Sequence, residues 1–394
     1  MDYAETEVQS MIREAAREFG GEFDQEYIRE HVEEKEFPEE YWNEMADRGF
    51  LGTMIPEEYG GEGLGMLEMT IILEELARAG DPGGILLVLT AIFGGVGITE
   101  HGTESQKEEY LPGIANGDIQ FSMGLTESNA GVNTLNIDTY AREEDGEYVV
   151  NGGKTFISGV DHADYMLLVA RTSEFDSSNP THGISLFIVP DPGDREEIEL
   201  NPVEVEVPWS ERQFQLDIND LRLDERRLLG GPDSKDIALY HLWDTLNTER
   251  IASAAGSLGS GLRAVDLGVE YANDREVFGE PIGAYQGVQH PLADSYTKLL
   301  SAREMMYKAA WRYDEDLDAG EAANVAKLRA SEAATEAASN SIQAHGGNGF
   351  TPEYEVIYLF MNSRLLETVP IPNEMIKNFV AENSLGLPRS YLRG

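Results

Sequence analysis

The spacing of apolar residues changes twice along this chain, and that change limits its fold more than any single motif. From Met1 to about Gly117 the spacing is helical. Met11, Ala15 and Phe19 share one face, and Leu67 and Ile71 open an amphipathic run with Glu74 and Glu75 that ends at Gly80. A loop over Pro56 to Gly65 interrupts it. From about Asp118 to Asp224 the period is two. Glu147 to Val150, Met166 to Ala170, Ile184 to Val189 and Gln213 to Leu223 read as short strands between Asp-Gly, Asn-Gly and Pro-rich turns. Helical spacing returns after Lys235, over roughly Asp236 to Tyr271, Gln286 to Tyr313, Glu321 to His345 and Pro372 to Asn383, with alanine at close-packing positions. No internal repeat is visible. The order predicts an α+β multidomain protein with an N-terminal helical domain over 1–117, a central β domain over 118–234 and a C-terminal helical bundle over 235–394.

The chain's 394 residues, 41% of them hydrophobic, supply enough apolar surface for two or three cores. Cysteine is absent, which removes disulfides, thiolate metal sites and cysteine nucleophiles together. Asp and Glu number 73 against 29 Lys and Arg, for a net charge of -44. Lysine is scarce, and most of the basic residues are arginine. A field this negative repels phosphate backbones and anionic lipid, so no nucleic acid and no membrane partner is expected. Acid spread along the whole chain reads as a solvated coat suited to high salt, a halophilic trait. Met1 to Ser10 lacks a basic targeting segment, and the longest apolar stretch, Gly83 to Ile98, is shorter than the ~20 residues of a spanning helix. These features predict a soluble, cytoplasmic protein.

Several motifs invite a different reading. Gly60 to Gly65 and Gly256 to Gly261 look like phosphate loops, but neither follows a strand and opens a helix, so a turn and close helix packing are expected instead. Asp161, His162 and Asp164 fall in a turn, and the histidines show no ligand spacing, so no metal site is predicted. There is no Gly-x-Ser-x-Gly elbow for a serine hydrolase.

Five segments, in order and over roughly 300 residues, together form a specific signal: Pro56-Glu-Glu-Tyr-Gly-Gly61, Leu125-Thr-Glu-Ser-Asn-Ala-Gly131, Asn151-Gly-Gly-Lys-Thr-Phe-Ile-Ser158, Arg275-Glu-Val-Phe-Gly279 with Gln286, and Gln343-Ala-His-Gly-Gly-Asn-Gly-Phe350. The set resembles the acyl-CoA dehydrogenase family of flavoproteins. The resemblance implies an N-terminal helical domain, a central β domain and a C-terminal four-helix bundle, assembled as a homotetramer with one FAD per subunit. It implies that Thr126 sets its hydroxyl against the isoalloxazine, with Phe156 and Ser158 as the aromatic and hydroxyl pair on the other side. It implies that Arg275, Phe278, Gln286, Gln343 and Gly347 hold the ADP part of FAD across a subunit interface, arginine suiting diphosphate through its fixed charge and bidentate fork. Val132 and Asn133 stand where the family often has Ser-Asp.

The family removes the α proton of an acyl thioester with a glutamate while a hydride leaves the β carbon for the flavin. In most members that glutamate lies twenty positions beyond the Phe of Gly-Gly-Asn-Gly-Phe. Here that position is Pro370, and the match of Glu374-Met-Ile just downstream supports the register. Isovaleryl-CoA and long-chain members instead place the base before an arginine on the first long helix of the C-terminal domain. Glu249-Arg250 stands there, so the resemblance implies Glu249 as base and Arg250 as a substrate-binding residue, with Glu367 a distant second for the base. Proline at 370 also removes a backbone N–H that helps polarise the thioester carbonyl in the family. The implied function is FAD-dependent dehydrogenation of an acyl-CoA with electrons passed to an electron-transfer flavoprotein. The alternatives are an acyl-CoA oxidase or flavin monooxygenase on the same fold, and a non-catalytic flavin-bound assembly protein.

Overall fold

The computed structural model describes residues 5–23, 25–80 and 84–389. Met1 to Ala4, and Gly83 at the head of the apolar stretch, lie outside them. Helix α1 (Glu7–Glu22) starts where the Thr6 hydroxyl accepts from the Gln9 amide at 3.2 Å and the Gln9 side chain accepts from the Thr6 amide at 3.0 Å, a reciprocal cap. Helices α2 (Gln25–Glu34), α3 (Glu39–Asp47) and α4 (Met66–Ala79) follow, and α4 ends at Gly80 in the left-handed conformation that favours glycine. The apolar stretch forms α5 (Gly84–Leu87), a π-helical segment (Val88–Val96) and α6 (Gly97–His101). Helix α7 (Glu104–Ala115) starts at a second capping box, Thr103 with Gln106.

Strands β1 (Phe121–Gly124), β2 (Tyr140–Glu144), β3 (Glu147–Ser158), β4 (Tyr165–Arg171), β5 (Ile184–Pro190), β6 (Ile198–Val203) and β7 (Gln213–Asp224) make one sheet in the order β1-β4-β2-β3-β7-β6, with β5 on the free edge of β4. Its β1–β4 pairing is parallel, whereas β3–β7, β4–β5 and β6–β7 are antiparallel. The register between β3 and β7 slips between Lys154 and Ile157, a bulge that turns Phe156 out of the sheet at φ 57°.

The last third begins with α8 (Ala238–Asp274) and a two-stranded hairpin, β8 (Glu276–Val277) with β9 (Glu280–Pro281). Helices α9 (Gln286–Asp314), α10 (Gly320–His345), α11 (Val356–Leu366) and α12 (Asn373–Phe379) complete it. Alanine and glycine let these helices approach closely. A Cβ on Gly259 would lie 2.3 Å from the Glu74 carbonyl oxygen on α4, and one on Gly261 2.6 Å from Leu299 on α9. Gly259 and Gly261 are therefore packing residues inside α8, whereas a Cβ on Gly256 would meet nothing within 4 Å.

One hydrophobic core joins α1, α3 and α4 to α8, α9 and α10, through side chains such as Phe19, Met69, Leu258, Met306 and Ala330. This overturns the amphipathic reading of α4. Glu74 and Glu75 do not form a wet face but are buried, because Arg13 and Arg17 of α1 and Arg303 and Tyr307 of α9 surround them. Helix α11 falls where the spacing gave no helix. The last predicted helix also stops early, giving way to a π turn over Val380–Ser384. Among the described residues no helix is long and apolar enough to cross a membrane.

Candidate active site

Two of the sequence motifs meet through a buried ion pair. The Lys154 Nζ on β3 donates to Glu127 at 2.7 Å and to the Leu125 carbonyl at 3.2 Å. Glu127 also accepts from the amides of Asp138 and Thr139, at 2.7 and 3.0 Å. The loop after β1 is thereby fixed against β3, and the Thr155 amide donates to the Thr126 carbonyl at 2.9 Å. Thr126, Phe156 and Ser158 are brought together at the C-terminal end of β3, where Phe156 is 58% exposed although its neighbour Ile157 is buried. The Ser158 hydroxyl exchanges hydrogen bonds with the Gln213 side chain, lying 2.8 Å from Nε2, which donates, and 3.1 Å from Oε1, which accepts. Gln213, read from the sequence only as the start of a strand, therefore orients this hydroxyl.

A second group lies at the far end of the bundle. Tyr271, near the end of α8, stacks on His345, at the end of α10, with ring centroids 4.2 Å apart, and accepts a hydrogen bond from Asn348 at 3.0 Å. This contact brings the Arg275 end of α8 next to Gln343 and Gly347. Phe278, at the tip of the β8–β9 hairpin, is 99% exposed, and Gln286 opens α9 beside it. Among the described residues no carboxylate lies within ion-pair reach of Arg275, unusual in a chain with this surplus of acid. A Cβ built on Gly346 or Gly347 would meet nothing within 4 Å.

Glu249 and Arg250 lie on α8 facing α10. They are not an ion pair: among the described residues no cation comes within 4 Å of the Glu249 carboxyl and nothing donates to it. Arg250 instead donates to Asn247 at 3.1 Å, and burial pulls its guanidinium below its usual value. Glu249 is half-buried, but protein surrounds it closely enough that desolvation pushes its carboxyl up to about 7, against the pull of Arg250 and Lys327. Lys327, on α10, has no exposed surface and was missed in the sequence. Its Nζ donates to the Ile371 carbonyl at 2.7 Å and to Asn373 at 2.9 Å, so the turn that carries Pro370 is tied to the helix facing Glu249. Burial pulls Lys327 down to about 8, against Glu367, Glu374 and Glu249. Its sequence signal is a lysine among Ala323, Ala326, Ala330 and Ser331 on a close-packed helical face.

An α-β-α chain with an exposed aromatic residue on the sheet, an unpaired arginine at the bundle end and a desolvated carboxylate between helices has the parts of a flavin-dependent oxidoreductase. The chain belongs to the acyl-CoA dehydrogenase family: the profiles of its N-terminal, middle and C-terminal domains match residues 6–118, 122–215 and 240–385. It is 40% identical over 391 residues to acyl-CoA dehydrogenase FadE12 of Mycobacterium tuberculosis, covering 99% of each chain. Among solved structures it resembles butyryl-CoA dehydrogenase from Megasphaera elsdenii, with a TM-score of 0.91 and 29% identity over 98% of this chain and all of that one. A chain in a structure of the electron transferring flavoprotein of Acidaminococcus fermentans matches with a TM-score of 0.91 and 31% identity over the full length of both.

FAD is the cofactor of this family, and the residues present fit it. The Phe156 face, the Ser158 hydroxyl and the Thr126 loop suit a planar ring with hydrogen-bonding edges, and Arg275 with the open backbone at Gly346 and Gly347 suits a diphosphate.

Proposed function

We propose that this protein oxidises an acyl-CoA to its 2,3-enoyl-CoA, with Glu249 as the base and an electron-transfer flavoprotein as the acceptor. The observation that carries the reading is the Glu249 carboxyl: desolvated, without a donor, pushed up to about 7, and linked through Lys327 to the turn where most relatives hold the base.

Glu249 takes the α proton, so that one C–H bond breaks and one O–H bond forms, and the electron pair makes the new bond to the β carbon as hydride leaves it. When bound, FAD supplies the hydride acceptor and passes two electrons on. Phe156, Ser158 and Thr126 orient the ring; Arg275, Phe278, Gln286, Gln343 and Gly347 hold the ADP part, from a neighbouring subunit. Arg250 lies beside the thioester end of the substrate. Glu367, three residues before Pro370, is not the base. The likeness to a chain in an electron transferring flavoprotein structure supports the acceptor.

The same reading has the chain working as a homotetramer in a salty cytoplasm, divided at 117 and 234. Exposed Phe278, Tyr296, Leu300 and Phe350 supply apolar surface for contacts between copies, and the charge of -44 calls for counterions.

Anaerobic titration of FAD-loaded protein with straight and branched acyl-CoAs tests the function. Bleaching of the flavin by at least one of them is expected. Bleaching by none overturns the reading, and oxygen consumption without an added acceptor replaces the flavoprotein with oxygen.

A further inference from the structure

In the turn between α11 and α12 the backbone donors are nearly all committed. Thr368 and Val369 donate to the Leu365 carbonyl at 2.7 and 3.0 Å, and Asn373 donates to the Glu367 carbonyl at 3.0 Å. Pro370 and Pro372 have no N–H. Between Thr368 and Asn373, and among the described residues, only the Ile371 N–H has no protein acceptor. Ile371 is also the residue whose carbonyl the buried Lys327 holds, while Asn373, the other acceptor of Lys327, is fixed by exchange with Ser331 at 3.1 Å. The turn is thus clamped from α10 at both ends of the Ile371-Pro372-Asn373 segment. Half-buried Ile371 is left with one free donor, next in sequence to the position whose donor proline has removed.

We propose that Lys327 is a positioning residue for the dehydrogenation: by gripping the Ile371 carbonyl it presents the Ile371 N–H to the substrate thioester carbonyl, in place of the donor missing at Pro370. This rests on the acyl-CoA reading above. A backbone donor aimed at the oxygen where negative charge develops accelerates such a step about 10²–10³-fold, a reason for the fold to spend a buried cation on fixing the peptide unit next to the one that carries the donor. The groups facing Lys327 are Glu249 and Arg250 from α8, Glu367 from the end of α11 and Glu374 from α12. Because its contacts are neutral oxygens, its charge also stabilises ionised Glu249.

The test uses FAD-loaded protein carrying Glu249→Gln, so that the bound substrate does not react, and follows the infrared carbonyl band of acyl-CoA labelled with carbon-13 at the thioester. The acyl chain is the one that bleaches the wild type fastest, so failure of the functional reading is seen beforehand and separately. The band is expected to lie below that of free acyl-CoA, to move back toward it when Lys327→Met is added, and to fall again when Pro370→Gly restores a donor at 370. In protein with Glu249 intact, Lys327→Met is expected to slow flavin reduction about 100-fold and to raise the pH at which reduction is half-maximal by roughly one unit. If Lys327→Met does not fold, replacing Ile371 by its α-hydroxy analogue, which puts an ester oxygen where the N–H was, is expected to give the same loss of band shift. A carbonyl band unmoved by the ester, or by Lys327→Met in folded protein, overturns the proposal.

Discussion

Lys154 and Glu127, 27 residues apart and both shielded from solvent, meet at 2.7 Å and join the loop after β1 to β3. Burial pulls the Lys154 ammonium down to about 8 despite its partner; the burial of Glu127 is outweighed by Lys154 and by donors from Thr139 and Asp138, which hold its carboxyl below the usual range. The pair gives the Thr126 loop its place beside Phe156.

Lys154→Met strands the Glu127 carboxylate with only the amides of Asp138 and Thr139. Removing one partner of a buried pair costs about 3–5 kcal/mol. Urea unfolding at neutral pH should report that loss, and a fluorescence titration should show weaker FAD binding, because the loop carrying Thr126 loses its tether. Unchanged FAD affinity would separate the pair from the cofactor site.

Glu249→Gln should bind FAD normally and slow reduction by acyl-CoA at least ~100-fold, since glutamine keeps the shape but takes no proton. Glu367→Gln should reduce near the wild-type rate. Rapid-mixing absorbance measurements decide between the two carboxylates.

The same carboxyl predicts a pH signature. Reduction by wild type should rise with pH through about 7 as Glu249 ionises. Stability runs the other way: a carboxyl raised from roughly 4.3 unfolded to about 7 folded favours the native state at low pH, and this contribution is lost between those values as pH rises. Glu249→Gln should therefore gain stability over wild type at pH 8, by up to ~3 kcal/mol, and little of it at pH 4. Equal unfolding midpoints at both pH values would place the group in water.

Within α8, Gly259→Ala puts a methyl 2.3 Å from the Glu74 carbonyl oxygen and 2.8 Å from the Arg78 nitrogen, which forces α8 from α4. Overpacking against backbone should cost roughly 1–3 kcal/mol. Gly256→Ala meets nothing within 4 Å and should stabilise by about 0.4–1 kcal/mol through the unfolded chain. Thermal melts of the two variants should move in opposite directions.

A charge of -44 per chain should make both melting temperature and assembly depend on salt, with light scattering giving the largest species in molar salt and smaller ones on dilution. Identical behaviour in dilute buffer would remove the high-salt reading and leave the enzyme assignment standing.

The sequence by itself determined what is local or ordered along the chain. Spacing placed the long helices α8, α9 and α10 and the four strands β3, β4, β5 and β7, and five motifs in register pointed to the family. The position beyond Phe350 showed that the usual base is a proline and directed attention to Glu249. It misjudged α4, because a glutamate on a helix reads as a wet face until the arginines of two other helices are seen around it. Tertiary structure alone decided that Lys327 meets the carbonyl of Ile371, 44 positions away, and that the turn so held lies across α10 from a carboxylate 121 residues upstream of Pro370. It also decided that the bulge in β3 turns Phe156 outward. Periodicity records which face of an element is apolar. Which polar groups share the space between elements depends on helix packing and strand register, and those are set by the whole core at once.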